Sequence, residues 1–249
     1  MLPIGDENEP GHGPALVTLA FIAINIFVFL VLQGAGSDGA FTYSFSAVPF
    51  EITHGVDLVG PEVVPVGNQE VLIPQGPGPE PIYLTLLTSM FMHAGWLHLG
   101  GNMLFLFIFG DNVEHFVGAA VYAIFYLAAG IVASLAQVFV APESVIPSLG
   151  ASGAISGVLG AYIVLFPSNR VTVIVFRFPA QVPALVAIGM WAVFQFISGL
   201  GAFAVSEQTT GGVAYMAHIG GFVAGLVAGL LFRATLGSPA RRVRRSAWG

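Results

Sequence analysis

Two separate stretches of this chain carry side chains that together could perform acyl transfer. Ser152 lies between glycines in Gly150-Ala151-Ser152-Gly153, at the start of an apolar segment, and His218 is the only histidine in the C-terminal half. A serine is a poor nucleophile by itself and needs a base within hydrogen-bonding reach. An ionisable side chain inside a membrane span is costly, so it indicates a functional site. We therefore predict that His218 is the base for Ser152.

Small residues recur at helical spacing on both segments, which indicates how the segments meet. They are Ser152, Ser156 and Gly160, with Gly153 and Gly157 beside them, and then His218, Gly221, Gly225 and Gly229. Glycine at such steps lets helices in a membrane approach closely. The two faces are therefore predicted to pack together and to hold His218 against Ser152. A purely structural serine–histidine pair is the alternative.

A third cluster could stabilise the negative charge that acyl transfer develops. His98 and Asn102 are four residues apart and face the same way on a helix. Both side chains can donate hydrogen bonds to an oxyanion. The alternatives are a structural histidine at the membrane interface and an amide that bonds a neighbouring helix. A metal site of His93, His98 and His218 lacks a nearby Asp or Glu, so we predict no metal and no cofactor.

Composition places these residues in a membrane protein. Hydrophobic residues make up 56% of the 249 residues and charged residues only 8%, and the mean hydropathy is +0.87. A soluble domain of this length could not bury so much apolar surface, so the chain is predicted to be polytopic. The absence of cysteine excludes disulfides and thiolate chemistry. The start of the chain is acidic and lacks a basic n-region, so we expect no signal peptide and a first span that remains as an anchor.

Six apolar spans are predicted, and a long acidic loop of ordered but irregular structure, 34–81, follows the first of them. The spans cover about 14–32, 97–109, 117–140, 152–166, 182–205 and 213–232. The polar run that starts at Asp111 is expected to close the second span, and 170–179 is expected to be a short turn, extended in part. The domain prediction is an N-terminal segment (1–13), a six-span domain (14–234) and a basic tail (235–249).

The arginines predict the orientation of the spans. The chain has no lysine, and all seven arginines fall on one side of a six-span arrangement. Arg170 and Arg177 lie between the fourth and fifth spans, and the other five follow the sixth. The positive-inside rule makes that side cytoplasmic. We therefore expect a multi-pass protein of the cell (inner or plasma) membrane, with both termini cytoplasmic and Ser152 opening to the extracytoplasmic side.

The fourth span is too short to cross a bilayer core. From Ser152 to Phe166 it offers about 15 residues, or roughly 23 Å of helix, against a core of about 30 Å. Because its far end is tied to the cytoplasmic Arg170 turn, Ser152 should lie below the outer surface in a water-filled pocket. The helix start also brings unpaired N–H groups and a positive dipole end to the serine, which favours an oxyanion there.

Taken together and in order, these motifs resemble the rhomboid family of intramembrane serine proteases. The resemblance implies an all-α, six-transmembrane-helix bundle whose short fourth helix carries the nucleophile. It implies that Ser152 is the nucleophile and His218 the general base, and that His98, Asn102 and the Ser152 backbone N–H form the oxyanion hole. The supporting positions that it implies are His93, which would organise nearby water and loop structure, and Gly150, Gly153 and Gly221.

The function that the resemblance implies is a cofactor-free endopeptidase. It would cut transmembrane protein substrates in or near their membrane segments, with the lipid bilayer as its other partner and no role for nucleic acid. Two positions differ from many relatives: Leu84 and Thr85 stand where a Trp-Arg pair is common, and Ser156 where an aromatic is common. The alternatives are a catalytically silent rhomboid-like protein that binds membrane clients and a small-solute transporter, although no inverted repeat supports the transporter.

Overall fold

A computed structural model describes residues 2–8, 13–66, 69–204 and 214–237, and most of the chain is helical. The α-helices are α1 (Leu16–Phe27), α2 (Gly39–Ser44), α3 (Pro49–His54), α4 (Thr85–Thr88), α5 (Trp96–Val117), α6 (Ala119–Val140), α7 (Ser152–Leu165), α8 (Ala184–Ala204) and α9 (Tyr215–Leu236). A π-helical turn, Val28–Leu32, extends α1. The strands are β1 (Leu2–Asp6), β2 (Glu62–Val66), β3 (Gln69–Ile73), β4 (Arg170–Val175) and β5 (Phe178–Pro183).

Packing of α7 against α9 forms the centre of the molecule, as the glycine spacing predicts. A Cβ atom added to Gly221 would overlap the carbonyl oxygen of Gly153, and one added to Gly225 would overlap that of Gly157. The two backbones are therefore in direct contact, which only glycine at these positions permits. Because α7 is also covered by α5 and α6, nearly all of its residues are buried. The predicted packing of the two faces is confirmed.

The end of α7 and the start of the next segment follow from proline chemistry and β-branched residues. Pro167 cannot continue the helix and disfavours helical geometry at Phe166. Beyond it, β4 and β5 form an antiparallel hairpin, and β1 pairs with β4 to give a sheet of order β1-β4-β5. Val171 and Val173 alternate into the core from β4. The expectation of a short turn at 170–179 is thus corrected to a hairpin.

The polar run Asp111-Asn112-Val113-Glu114-His115 lies inside α5, which continues to Val117, so the expectation that it closes the span is wrong. Its polar side chains have partners from the N-terminal segment. Glu114 is buried and accepts hydrogen bonds from the backbone N–H groups of Val17 and Thr18, at 2.9 and 2.7 Å. A carboxylate there satisfies the free N–H groups at the start of α1, which offsets its cost of burial.

The long acidic loop is more regular than predicted. It contains α2, α3 and the antiparallel hairpin β2–β3. Ala47 and Ser148 exchange two backbone hydrogen bonds of 3.0 and 2.8 Å, which tie the loop to the segment that leads into α7. Leu84 and Thr85, which stand where many relatives have a Trp-Arg pair, lie at the junction of a 3₁₀ turn and α4, and Thr85 is buried.

Two of the described helices, α6 and α9, are long and apolar enough to cross a bilayer. A third span results if Ile82–Phe91 and α5, which meet at 79°, act as one bent element. Leu16–Leu32, Ser152–Leu165 and Ala184–Gly199 are shorter apolar helices at the predicted positions of other spans. Several apolar helices of a membrane protein are therefore present, and the count of six spans stays a prediction. The strands correct the all-α class to a mostly helical one.

Most of the segments that the arginine pattern predicts to be cytoplasmic lie together at one end of the described part of the molecule. β1 pairs with β4, and the Arg233 side chain at the end of α9 donates to the carbonyl oxygen of Val164 at 3.3 Å. Residues 205–213, which include the connection between the fifth and sixth predicted spans, and residues 238–249 of the basic tail lie outside the described residues.

The contact between α7 and α9 generates a stability prediction. Gly225→Ala forces a methyl group into the Gly157 backbone, so the free energy of unfolding should fall by about 1–3 kcal/mol or more. Gly189→Ala in α8 is the matched control, because a Cβ there meets no atom within 4 Å. Alanine should leave the control unchanged or slightly stabilised. Thermal unfolding in detergent measures both, and equal midpoints for the two variants would contradict the packing.

Candidate active site

Ser152 and His218 are in direct hydrogen-bonding contact. Ser152 is the first residue of α7, and His218 lies in the first turn of α9. The distance between Ser152 Oγ and His218 Nε2 is 2.7 Å. The close α7–α9 packing between Gly153, which follows Ser152, and Gly221, three residues after His218, fixes this distance. The structure thus brings together the two side chains that sequence spacing predicted to be partners, in a geometry that allows proton transfer from serine to histidine.

The other nitrogen of His218 faces a residue that sequence reasoning missed. Nδ1 of His218 lies 2.9 Å from Oε1 of Gln195 in α8. The Trp191 ring, one turn earlier on α8, has its centroid 6.2 Å from that of the histidine. The signal in the sequence was an amide inside an otherwise apolar span, where a polar side chain needs a partner. Ser156 does not orient His218, because its hydroxyl donates to the carbonyl oxygen of Ser152 at 2.6 Å.

His98 and Asn102 lie beside the backbone that leads to Ser152. A Cβ added to Gly150 would lie 2.8 Å from His98 Nε2 and 3.6 Å from Asn102 Nδ2. Gly150 has φ +120°, a conformation that side chains rarely tolerate, so both space and backbone require glycine. The Ala94 N–H donates to His98 Nδ1 at 3.4 Å, which leaves Nε2 as the ring's donor. Two donors therefore face one small region next to the serine.

His93 fixes the position of Asn102 through a buried hydrogen bond. Its side chain is completely buried, and Asn102 Nδ2 donates to His93 Nε2 at 2.9 Å, which fixes the orientation of the amide. A second residue missed in the sequence holds His93 in place. The Gln33 side chain pairs with the His93 backbone through two hydrogen bonds of 2.9 Å, one to the carbonyl oxygen and one from the N–H. Sequence spacing gave no signal for this contact, since the partners are 60 residues apart.

A cavity of about 640 Å³ adjoins these groups, and Gln195 and Trp191 belong to its lining. Its lining includes Ser152, His218, His98 and Asn102, together with Tyr43 and Ile73 of the acidic loop, so the loop forms part of the wall. Among the described residues no cluster of His, Cys, Asp or Glu side chains suits a metal ion. The donor set explains this, because the Nε2 lone pairs of His93 and His218 already face Asn102 and Ser152.

Comparison with known proteins identifies relatives of this chain. A sequence model of the Rhomboid domain matches residues 81–235. The chain is 33% identical over 229 residues to the rhomboid protease GluP of Bacillus subtilis, which covers 92% of this chain and 36% of that protein. It is 33% identical over 150 residues to the mitochondrial rhomboid protein 1 of Saccharomyces cerevisiae, covering 59% of this chain and 41% of the relative. The chain therefore spans less than half the length of either protein.

One relative differs in kind. The inactive rhomboid protein 1 of Drosophila melanogaster is 36% identical over 87 residues, which cover 35% of this chain and 6% of that protein. The chain belongs to the rhomboid family, and the resemblance predicted from the motifs is confirmed. The family contains both serine proteases and inactive members, so membership alone leaves activity open.

The donor region generates a kinetic prediction. Asn102→Ala removes one oxyanion donor while His98 and the Ser152 N–H remain, so kcat for peptide hydrolysis should fall by about 10- to 1000-fold with little change in KM. Asn25→Ala is the control, since Asn25 is a buried amide that bonds the Phe21 carbonyl within its own helix, α1. If Asn102→Ala instead lost thermal stability in proportion to activity, a helix-packing role would replace the catalytic one.

Proposed function

We propose that this chain is an intramembrane serine endopeptidase that hydrolyses peptide bonds in or near transmembrane segments of membrane proteins. The observation that carries the proposal is the 2.7 Å contact between Ser152 Oγ and His218 Nε2, made inside a cavity that His98 and Asn102 also line. A nucleophile, a base and two oxyanion donors are the groups that acyl transfer requires. The rhomboid proteases among the relatives support the same reaction class.

The proposed reaction follows from the positions of these groups. Ser152 Oγ attacks the scissile carbonyl carbon as its proton moves to His218 Nε2. The carbonyl oxygen becomes an oxyanion, which accepts hydrogen bonds from His98, Asn102 and the Ser152 N–H. The tetrahedral intermediate collapses, the C–N bond breaks, and His218 gives its proton to the leaving amine. Water then attacks the acyl ester, loses a proton to His218, and releases the acid as Ser152 regains its proton.

The proposed location is the cell membrane, with six spans, both termini in the cytoplasm and the active site opening to the extracytoplasmic side. The location of all seven arginines on one side of the predicted spans supports this orientation. So does the placement of β1, the β4–β5 hairpin and Arg233 away from the Ser152 end of α7. The first loop, 34–81, is then extracytoplasmic, where Tyr43 and Ile73 cover the cavity. Transmembrane proteins in the bilayer are the proposed substrates.

The second candidate is a catalytically silent protein that binds membrane clients. The observation that supports this alternative is a relative that is named an inactive rhomboid protein. The presence of both Ser152 and His218, at hydrogen-bonding distance, favours the enzyme.

Covalent labelling tests the function directly. The purified full chain should react with a fluorophosphonate probe at Ser152 and should cleave at least one member of a panel of single-span membrane proteins in proteoliposomes. Ser152→Ala should lose both reactions, because Ser152 is the hydroxyl that bonds His218 Nε2 in the described part of the chain. Ser198→Ala, on α8, is the control that should retain both. A wild-type chain that neither labels nor cleaves, while remaining folded, would favour the client-binding alternative.

The chemistry of the substrate backbone generates a further prediction. A helix hides its carbonyl groups in i→i−4 hydrogen bonds, so Ser152 can attack only an unwound segment. Cleavage should therefore occur near the outer end of a substrate span and close to Gly or Pro. The resemblance to the rhomboid family also implies a small residue at the scissile position. Replacing those helix breakers with Leu, with the scissile residues retained, should lower cleavage in membranes at least about 10-fold. Undiminished cutting of the all-Leu helix would contradict the requirement for unwinding.

A further inference from the structure

Gln195 is a buried amide in a helix that otherwise offers almost only apolar side chains. It lies near the middle of α8, is 9% exposed, and places Oε1 2.9 Å from Nδ1 of His218. A buried polar group without a partner is costly, so this contact satisfies both side chains. The proposed reaction above uses only the Nε2 side of the ring and leaves the role of Gln195 unassigned.

The identity of the two atoms decides the tautomer of the histidine. An amide oxygen only accepts hydrogen bonds, so Nδ1 must carry the proton that it donates to Oε1. In a neutral imidazole the other nitrogen then has the free lone pair, and that nitrogen, Nε2, faces Ser152 Oγ. This is the tautomer that can accept the serine proton. The opposite tautomer would aim an N–H at the serine and leave it without a base.

Nothing else in the described part of the chain sets this orientation as directly. Ser156, which stands where many relatives have an aromatic, donates its hydroxyl to the Ser152 carbonyl oxygen and does not reach the ring. The Trp191 ring is tilted by 41° at a centroid distance of 6.2 Å, which restricts the ring by contact but does not select a nitrogen. Of the side chains that the structure describes, only Gln195 bonds Nδ1. The bond also strengthens when His218 becomes a cation, because charge-assisted hydrogen bonds are stronger than neutral ones.

We propose that Gln195 is the positioning residue of the catalytic histidine, so that Ser152, His218 and Gln195 act as a hydrogen-bonded triad in which an amide replaces the usual carboxylate. Gln195 acts through His218 and does not touch the substrate. The inference rests on the proposed protease function. It deepens that function by assigning the orientation of His218 to α8, in a chain that has Ser156 where many relatives have an aromatic.

Two substitutions of similar size separate a positioning role from a packing role. Gln195→Leu keeps the volume but removes the acceptor, so the rate of fluorophosphonate labelling at Ser152 and kcat should fall about 10- to 100-fold with KM unchanged. Gln195→Glu keeps the acceptor and should retain or exceed the wild-type rate. Stability should follow the opposite order, because an apolar residue suits this buried site better than a carboxyl group.

The pH dependence of the reaction rate tests the positioning role of Gln195 independently. A carboxylate beside Nδ1 stabilises the imidazolium, so the acidic limb of the Gln195→Glu rate profile should move to higher pH than in the wild type. His98 is the titratable group of the neighbouring α5 that acts on His218, and it is the same in both proteins. Gln195→Leu should lower the plateau rate and should not produce this shift.

The control and the contrary outcomes are distinct. Phe194→Leu, at the adjacent and exposed position of α8, should leave the labelling rate unchanged. If Gln195→Leu labels at the wild-type rate, or if Gln195→Glu is as slow as Gln195→Leu, the positioning role is wrong while the protease proposal stands. If the wild-type protein itself fails to label, the proposed function fails first, so the two failures are separable.

Discussion

Direct contact between the backbones of α7 and α9 is the constraint on which the site depends. Glycines at 153, 157, 221 and 225 let the helices meet without intervening side chains. Since Ser152 and His218 lie at the same ends of these helices, the contact leaves 2.7 Å between Oγ and Nε2. Helices kept apart by larger side chains, at the usual 8–10 Å, would not position the pair this closely. The same contact sets the geometry of the proposed catalytic pair and the stability of the core, so few substitutions there can change one alone.

Three buried polar side chains form hydrogen bonds between parts of the chain that are far apart in sequence. Glu114 of α5 bonds the start of α1, Gln33 bonds the His93 backbone, and Gln195 of α8 bonds His218 of α9. In a medium that offers no water, each such group is stable only when its partner is present. The pairs therefore restrict which helices can be neighbours, while small residues restrict how near they come.

These two kinds of contact explain how much of the fold and site the sequence predicts. Ser152, His218, His98 and Asn102 lie on helices, where fixed periodicity makes faces readable, and the helices meet through small residues that leave a pattern. Gln33 and Gln195 leave no such pattern, because a single amide does not reveal which distant group it bonds. The β1–β4 pairing and the continuation of α5 past Asp111 were missed for the same reason. The N-terminal segment supplies partners that local sequence does not show.

The far end of α7 shows why that N-terminal segment matters to the site. Tyr162, ten residues after Ser152, donates its hydroxyl to Asp6 Oδ2 at 2.5 Å, and Asn112 of α5 donates to the same oxygen at 2.8 Å. Burial, with the nearby Asp111 carboxyl, raises the pKa of Asp6 to about 7. Near neutral pH the group is therefore partly protonated, which lowers the cost of placing it between two helices. A helix of only 14 residues is thus fixed at both ends, by glycine contacts at the Ser152 end and by β1 at the other.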